Sequence, residues 1–154
     1  RNACLELVDT EFVVHLDADD SLEPGYVDAL MAGSCDLRAP SVRYVQDGRA
    51  PRDPIVPSVA GHSHDCTGPC LEHGNFLVIG TLARTQLLRD VGGWEEWPVY
   101  EDWSAWLRMW RAGATVETIP QAVYRAAWRA DSRNRAPDMA VKNQVHRDIV
   151  AAAS

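Results

Sequence analysis

The stretch FVVHLDADD, Phe12 to Asp20, restricts the fold more than any other part of the 154-residue chain. A short apolar, β-branched run bounded by polar residues predicts a buried strand over Phe12–Leu16. Asp17, Asp19 and Asp20 close that run, and open α/β sheets place their ligands at the C-terminal ends of strands. Carboxylates packed this closely repel one another unless a cation sits among them. An all-oxygen set suits a hard divalent ion such as Mg²⁺ or Mn²⁺, shared with a substrate phosphate. A D-x-D motif alone also fits a solvated acidic loop, and the two readings stand side by side at this point.

Size and charge narrow the classes. With 46% hydrophobic and 24% charged residues, the chain has an ordinary globular composition and enough length for one core. A formal charge of −7, with no Lys/Arg run on a predicted helix, excludes nucleic acid or an anionic membrane surface as the main partner. No apolar stretch reaches transmembrane length and no signal peptide is present, so a cytoplasmic protein is expected. The four cysteines are too few for a disulfide scaffold. The chain opens at Arg1 inside what reads as a helix ending near Val8, which suggests a fragment.

Further along, Ser21 to Pro24 predicts a helix start, with Ser21 as N-cap and Pro24 in the first turn. Tyr26, Val27, Leu30 and Met31 would form that helix's buried stripe. Ser41 to Gln46 alternates and predicts a strand. Asp47 to Gly74 lacks periodicity and is rich in Pro and Gly, so a long loop is expected, mobile unless a ligand or zinc holds it. Phe76–Ile79 predicts a short strand and Thr85–Val91 a short helix. Glu101 to Arg111 carries Trp103, Trp106, Leu107 and Trp110 at i, i+3, i+4 and i+7, a strict amphipathic stripe best suited to packing. The helix N-terminus should hold Asp102 ionised. Thr115–Ile119 and Ala122–Trp128 read as two strands around Pro120. Met139–Ala153 reads as a terminal helix with Val141, Val145 and Ile149 on one face.

Taken together, RNACLEL, LDADDSLEPGYV, GTLARTQLLRDVGGW and EDWSAWLRMWRAGA, in this order, resemble the family 2 glycosyltransferases of GT-A fold. The resemblance covers roughly positions 1 to 135. It implies an α/β, Rossmann-like mixed sheet flanked by helices, with the nucleotide-binding strands of the N-terminal half missing. Positions 1–46 would form the metal half, 47–75 an acceptor loop, 76–135 the acceptor and base half, and 136–154 a C-terminal helix, all one catalytic-domain fragment. The implied activity is inverting, metal-dependent transfer of a sugar from a nucleotide-diphosphate sugar to an acceptor hydroxyl. Asp17 would contact the nucleotide-sugar and, with Asp19, the Mn²⁺ or Mg²⁺, and Asp20 would support them. Asp102, of the Glu101–Asp102 pair, would be the general base, and Gly74 and Asn75 would shape the acceptor side. Cys4 and Thr10 stand where family members commonly carry glycine, which touches packing rather than chemistry.

Other residues have weaker ties to this picture. Trp94 and Trp97, beside glycines and a proline, suit stacking on a sugar. Arg133 and Arg135 lie in a stretch that could close over a diphosphate or form a solvated charge cluster. His62, His64, Cys66, Cys70 and His73 fall within zinc-ligand spacing, although an irregular acceptor loop collects such residues by chance. Two competing functions remain. A haloacid-dehalogenase-like phosphatase would use Asp17 as phosphoryl nucleophile, and a non-catalytic remnant would bind sugar or metal without turnover. Leu22 excludes an EF-hand loop, and the lack of G-K-[ST] excludes a P-loop.

Overall fold

The computed structural model describes residues 1–46, 48–59, 66–129 and 137–153. Its spine is a pair of long parallel strands, β3 (Leu37–Val45) and β5 (Val116–Ala127), in register from Leu37–Val116 to Val45–Ala127. Three short strands pair antiparallel around them: β4 (Leu82–Arg84) beside β3, β1 (Phe12–Val13) outside β4, and β2 (Ser21–Leu22) outside β5. The sheet order is β1-β4-β3-β5-β2. Five helices flank it among the described residues: α1 (Asn2–Glu6), α2 (Tyr26–Met31), α3 (Thr85–Asp90), α4 (Glu101–Arg111) and α5 (Met139–Ala152). None of them is long and apolar enough to cross a membrane.

Proline explains why β5 is one strand rather than the expected two. The β3–β5 register steps between Pro40 and Ser41, where Pro40 faces Ile119 but Ser41 faces Val123. Pro120 therefore falls in a bulge opposite the proline of the partner strand. Each chain lacks a ladder N–H at that level, so the irregularity costs few hydrogen bonds and pairing resumes beyond it.

The acidic run is also rearranged. Only Phe12 and Val13 join a ladder; Val14 to Leu16 do not, and the run is half-buried or exposed rather than buried. β1 and β2 lie on opposite edges of the sheet, four strand spacings or about 19 Å apart. The eight Cα–Cα steps from Val13 to Ser21 reach at most about 26–29 Å when fully extended. The chain therefore crosses from one edge of the sheet to the other within these steps, turning at Asp17–Asp20, and Val14 to Asp20 join no ladder. Ser21 and Leu22 then pair with Arg125 and Tyr124, so they form a strand and not the expected helix start. Glu23 continues the attachment, its N–H donating to the Val123 carbonyl at 3.1 Å. The helix begins only after Gly25, whose φ of 78° is open to glycine at little cost.

Elsewhere tertiary packing overrides the local pattern. Phe76, Leu77 and Ile79 are buried but lie in a loop, not a strand. The Asn75 Oδ1 accepts from the Leu77 N–H at 3.0 Å and turns the chain there. In the expected loop, Ile55 forms an isolated bridge to Val42, and Gly68–Glu72 forms a 3-10 turn beneath α4. In α2 only Tyr26 and Leu30 are buried, while Val27 and Met31 are each 50% exposed. In α5 Val145 and Ile149 face inward and Val141 does not.

Helix α4 follows its sequence signal. Trp103, Trp106 and Leu107 are fully buried, and Trp110 is half-buried against Gly68. Trp94 meets Trp106 edge-on, with ring centroids 5.1 Å apart, and the Trp103 indole N–H donates to the Leu71 carbonyl at 2.8 Å. Glu101 and Asp102 in the first turn and Arg108 and Arg111 in the last complement the helix dipole.

Gly80 marks the tightest contact between the sheet and its cover. A Cβ there would lie 2.2 Å from the Tyr124 ring and 2.8 Å from the Tyr26 hydroxyl, which donates to the Gly80 carbonyl at 2.6 Å. Both tyrosines are buried and have little room to move. Gly80→Ala should therefore destabilise the fold by roughly 2–3 kcal/mol in denaturant unfolding. A loss below about 0.5 kcal/mol would show that the loop yields instead.

Candidate active site

A cleft of about 900 Å³ opens where the crossing segment between β1 and β2 meets the ends of β3 and β5. Asp17, Asp19 and Asp20 line one side, Glu101 and Asp102 at the start of α4 another, and Asn75 to Ile79 the floor between them. The fold thus brings together two acidic motifs more than 80 residues apart in sequence.

The three aspartates have different environments. Asp17 and Asp20 are the ends of a turn, with the Asp20 N–H donating to the Asp17 carbonyl at 3.1 Å. Asp20 is an anchor: its carboxylate accepts from the Tyr124 hydroxyl at 2.6 Å and from the Ala127 N–H at 2.7 Å. Burial raises its pKa; those two hydrogen bonds oppose the rise, and the neighbouring Asp19 and Asp17 add to it. Asp17 is half-exposed and pairs with Arg1 at 2.8 Å. Asp19 projects into solvent at the turn, with no hydrogen bond or ion pair among the described residues.

Across the cleft, Asp102 accepts from the Asn75 Nδ2 at 3.1 Å and from the Trp103 N–H at 2.8 Å. The residue keeps some surface toward the cleft, yet its carboxylate is hemmed in by protein. Desolvation pushes its pKa up to about 6, helped by the nearby Glu101 charge and opposed by the two hydrogen bonds and by Arg1. The dipole of α4 alone would hold the pKa low, and burial outweighs it. The Asp102 carboxyl therefore changes protonation close to neutrality. Its bond from the Trp103 N–H satisfies one of the donors left over at the start of α4.

Arg1 links the two sides. Its guanidinium donates to Asp17 and to Glu101, each at 2.8 Å, and lies over the Trp94 ring at 5.5 Å from the centroid. In the sequence Arg1 stood out only as the first residue of RNACLEL, with no role attached, and Tyr124 only through strand alternation. Both owe their place to partners distant in sequence.

The remaining candidates divide. Gly74 does not line the cleft; it packs behind it, where a Cβ would stand 3.3 Å from Val59. Trp94 is only 6% exposed, its ring edge-on to Trp106 and His15, so it offers Arg1 a platform rather than a sugar a face. Trp97 lies in an adjoining hollow that shares Arg1 and Glu101 with the cleft, and its indole N–H donates to Glu95 and Ser104. Trp94 donates its indole N–H to the His15 Nε2 at 3.3 Å, which requires that nitrogen unprotonated; desolvation, with Arg1 nearby, lowers the His15 pKa to about 4.

Arg133, Arg135, His62 and His64 lie outside the described residues. Cys66 and Cys70 are buried thiols, the Cys66 Sγ accepting from the Val59 N–H, and His73 is exposed. Among the described residues no three His, Cys, Asp or Glu side chains are grouped as a metal site. At the acidic turn Asp17 is paired with Arg1 and Asp20 with Tyr124 and Ala127, while Asp19 stands exposed. Carboxylate oxygens with coordination left over fit a hard cation that completes its shell with phosphate and water.

No family model matches the chain. Over 135 residues it is 30% identical to pre-mycofactocin glycosyltransferases of two strains of Mycobacterium tuberculosis, an alignment covering 80% of this chain. The chain spans 28% of the length of those relatives. In three dimensions it is similar to S. aureus TarS (1–349) crystallised with UDP-GlcNAc, at TM-score 0.63 and 17% identity, covering 94% of this chain and 44% of that one. The complex of the same protein with UDP gives TM-score 0.63 and 19% identity, over 99% of this chain and 43% of that one. At such identities the likeness speaks for the fold: a curled, mixed five-stranded sheet flanked by helices, as in the glycosyltransferase fold of TarS.

Proposed function

We propose that the chain carries the metal and acceptor sides of an inverting, family 2-like glycosyltransferase that moves a sugar from a nucleotide-diphosphate sugar to an acceptor hydroxyl. The observation that carries this reading is Asp102, a desolvated carboxylate held by Asn75 in the same cleft as the Asp17–Asp20 turn. The 30% identity to glycosyltransferases and the fold shared with a protein crystallised with UDP and UDP-GlcNAc support the donor class.

In this mechanism Asp102 accepts the acceptor's hydroxyl proton as the oxygen bonds to the anomeric carbon. The anomeric carbon–oxygen bond to the diphosphate breaks on the opposite face, its electron pair leaving with the nucleotide, so configuration inverts. Asn75 fixes the carboxylate's direction, and Arg1 spreads positive charge between Asp17 and Glu101. Asp17 and Asp19 would hold Mn²⁺ or Mg²⁺, which when bound supplies Lewis-acid stabilisation of the departing charge. Asp20 keeps their turn in place through Tyr124 and Ala127.

Asp102→Asn should lower transfer by roughly a hundredfold or more, with donor binding nearly intact. The wild-type kcat/KM should rise with pH through about 6 and then level, because the ionised form is the base. A profile flat from pH 5 upward, or near wild-type transfer by Asp102→Asn with loss in Glu101→Gln, would show that the wrong carboxylate was chosen.

For the metal, Asp19→Asn should weaken Mn²⁺ binding in a direct titration far more than Asp9→Asn does. Equal effects would remove Asp19 from the assignment.

Stability carries the same signature. A pKa raised in the fold from 3.8 to about 6 favours the native state while Asp102 is protonated, below about pH 4, and that contribution is lost as pH rises through about 6. Wild type should lose on the order of 2 kcal/mol relative to Asp102→Asn between pH 4 and 7. Parallel stability curves for the two proteins would contradict the burial of the charge.

A further inference from the structure

We infer that the acceptor presents its hydroxyl on an apolar body, an aromatic or aliphatic group, rather than as a plain hydrophilic sugar. The inference rests on the reading of Asp102 as the base. It comes from one wall of the cleft. Tyr44, Ile55 and Val56 are 45%, 52% and 45% exposed, and all three line the same cleft as the carboxylates. Among the described residues, the other large exposed apolar side chains (Leu7, Leu16, Val27, Met31, Met139 and Val141) line neither this cleft nor the adjoining hollow.

The wall is built rather than incidental. Ile55 is bridged to Val42 by two backbone hydrogen bonds of 2.8 and 2.9 Å, and the Arg43 guanidinium donates to the Arg52 carbonyl at 2.8 Å. Pro54 and Pro57 bracket Ile55-Val56 and fix the backbone on either side. At one end the segment reaches Val59, which packs on Gly74, and the next residue, Asn75, holds Asp102. At the other end Tyr44 pairs with Ala126, beside the Ala127 N–H that anchors Asp20. The wall therefore runs from the base to the acidic turn.

Its chemistry selects against bare sugars. Ile55 and Val56 offer no side-chain donor or acceptor, so hydroxyls set against them would lose water without replacement. An apolar body there would instead displace water from exposed hydrocarbon, at a gain of about 25 cal/mol per Å² buried. Ligand sites commonly combine such a surface with a few convergent polar groups, here Asp102 and Asn75.

The test uses the full chain with a nucleotide-sugar donor and three acceptors of equal hydroxyl content: methyl, phenyl and 2-naphthyl glycosides of one sugar. The acceptor KM should fall about tenfold from methyl to naphthyl. In Ile55→Ser/Val56→Ser that gradient should flatten toward a ratio of one, and Val56→Ser alone should shift it part-way in the same direction. Both side chains are half in solvent, so each substitution is compatible with folding. Equal KM values for methyl and naphthyl glycosides, or a gradient retained in both variants, would overturn the inference while transfer itself upholds the glycosyltransferase reading. No donor turnover with any acceptor or with water would defeat that reading, and this inference with it.

Discussion

Everything in this molecule depends on the parallel pairing of β3 with β5. Parallel strands are stable only when covered; β3 buries Leu37 to Val42, β5 buries Ala122 and Tyr124, and α2 packs against both strands. The opposed prolines let two strands of unequal length stay paired through an irregular level. Their common C-terminal end is where the Asp20 carboxylate fastens the acidic turn, through Tyr124 on β5 and the backbone N–H of Ala127. The sheet sets the position of the site, and one buried carboxylate transmits that position to its neighbours.

The site shows how a protein uses an unfavourable placement. A helix N-terminus is a comfortable location for a carboxylate, and Asp102 would be an ordinary acid if it stood in water there. Burial removes that comfort and lifts its pKa to about 6, and Glu101 adds repulsion. Hydrogen bonds from Asn75 and Trp103 recover part of the loss and aim the group. Strain of this kind is tolerated because Trp103, Trp106 and Leu107 anchor the helix behind it in the core.

Legibility followed the range of the determining interactions. Helix α4, from Glu101 to Arg111, was readable to the residue because its tryptophan stripe is a local periodicity that burial then satisfied. The acidic turn was readable as part of a cleft because charge density needs no partner to be noticed. The length of β1 was not readable, since it depends on the chain having to span the sheet to reach β2. Nor was the strand at Ser21-Leu22, where a plausible N-cap sequence yields to pairing with Tyr124 and Arg125. Trp94 was misread because neighbouring glycines suggest exposure, whereas its ring is enclosed by Trp106, His15 and Arg1. The apolar wall at Ile55 and Val56 had no signal, because two apolar residues between prolines say nothing of what they face.

Charge imposes the last constraint. Among the described residues lining the cleft, Asp17, Asp19, Asp20, Glu101 and Asp102 stand against two guanidiniums, Arg1 and Arg129. Arg1 is already committed to Asp17 and Glu101. A diphosphate approaching this surface would add negative charge to an uncompensated negative site, which in a partly desolvated cleft costs far more than it does in water. On the proposed reading, a divalent cation at Asp17 and Asp19 would reverse the sign on the side of the cleft assigned to the diphosphate. It would leave Asp102, across the cleft and held by Asn75, as an anion suited to attract a proton. The same carboxylates that repel an unaccompanied nucleotide would thus separate the two tasks, one side of the cleft for the leaving group and the other for the entering hydroxyl.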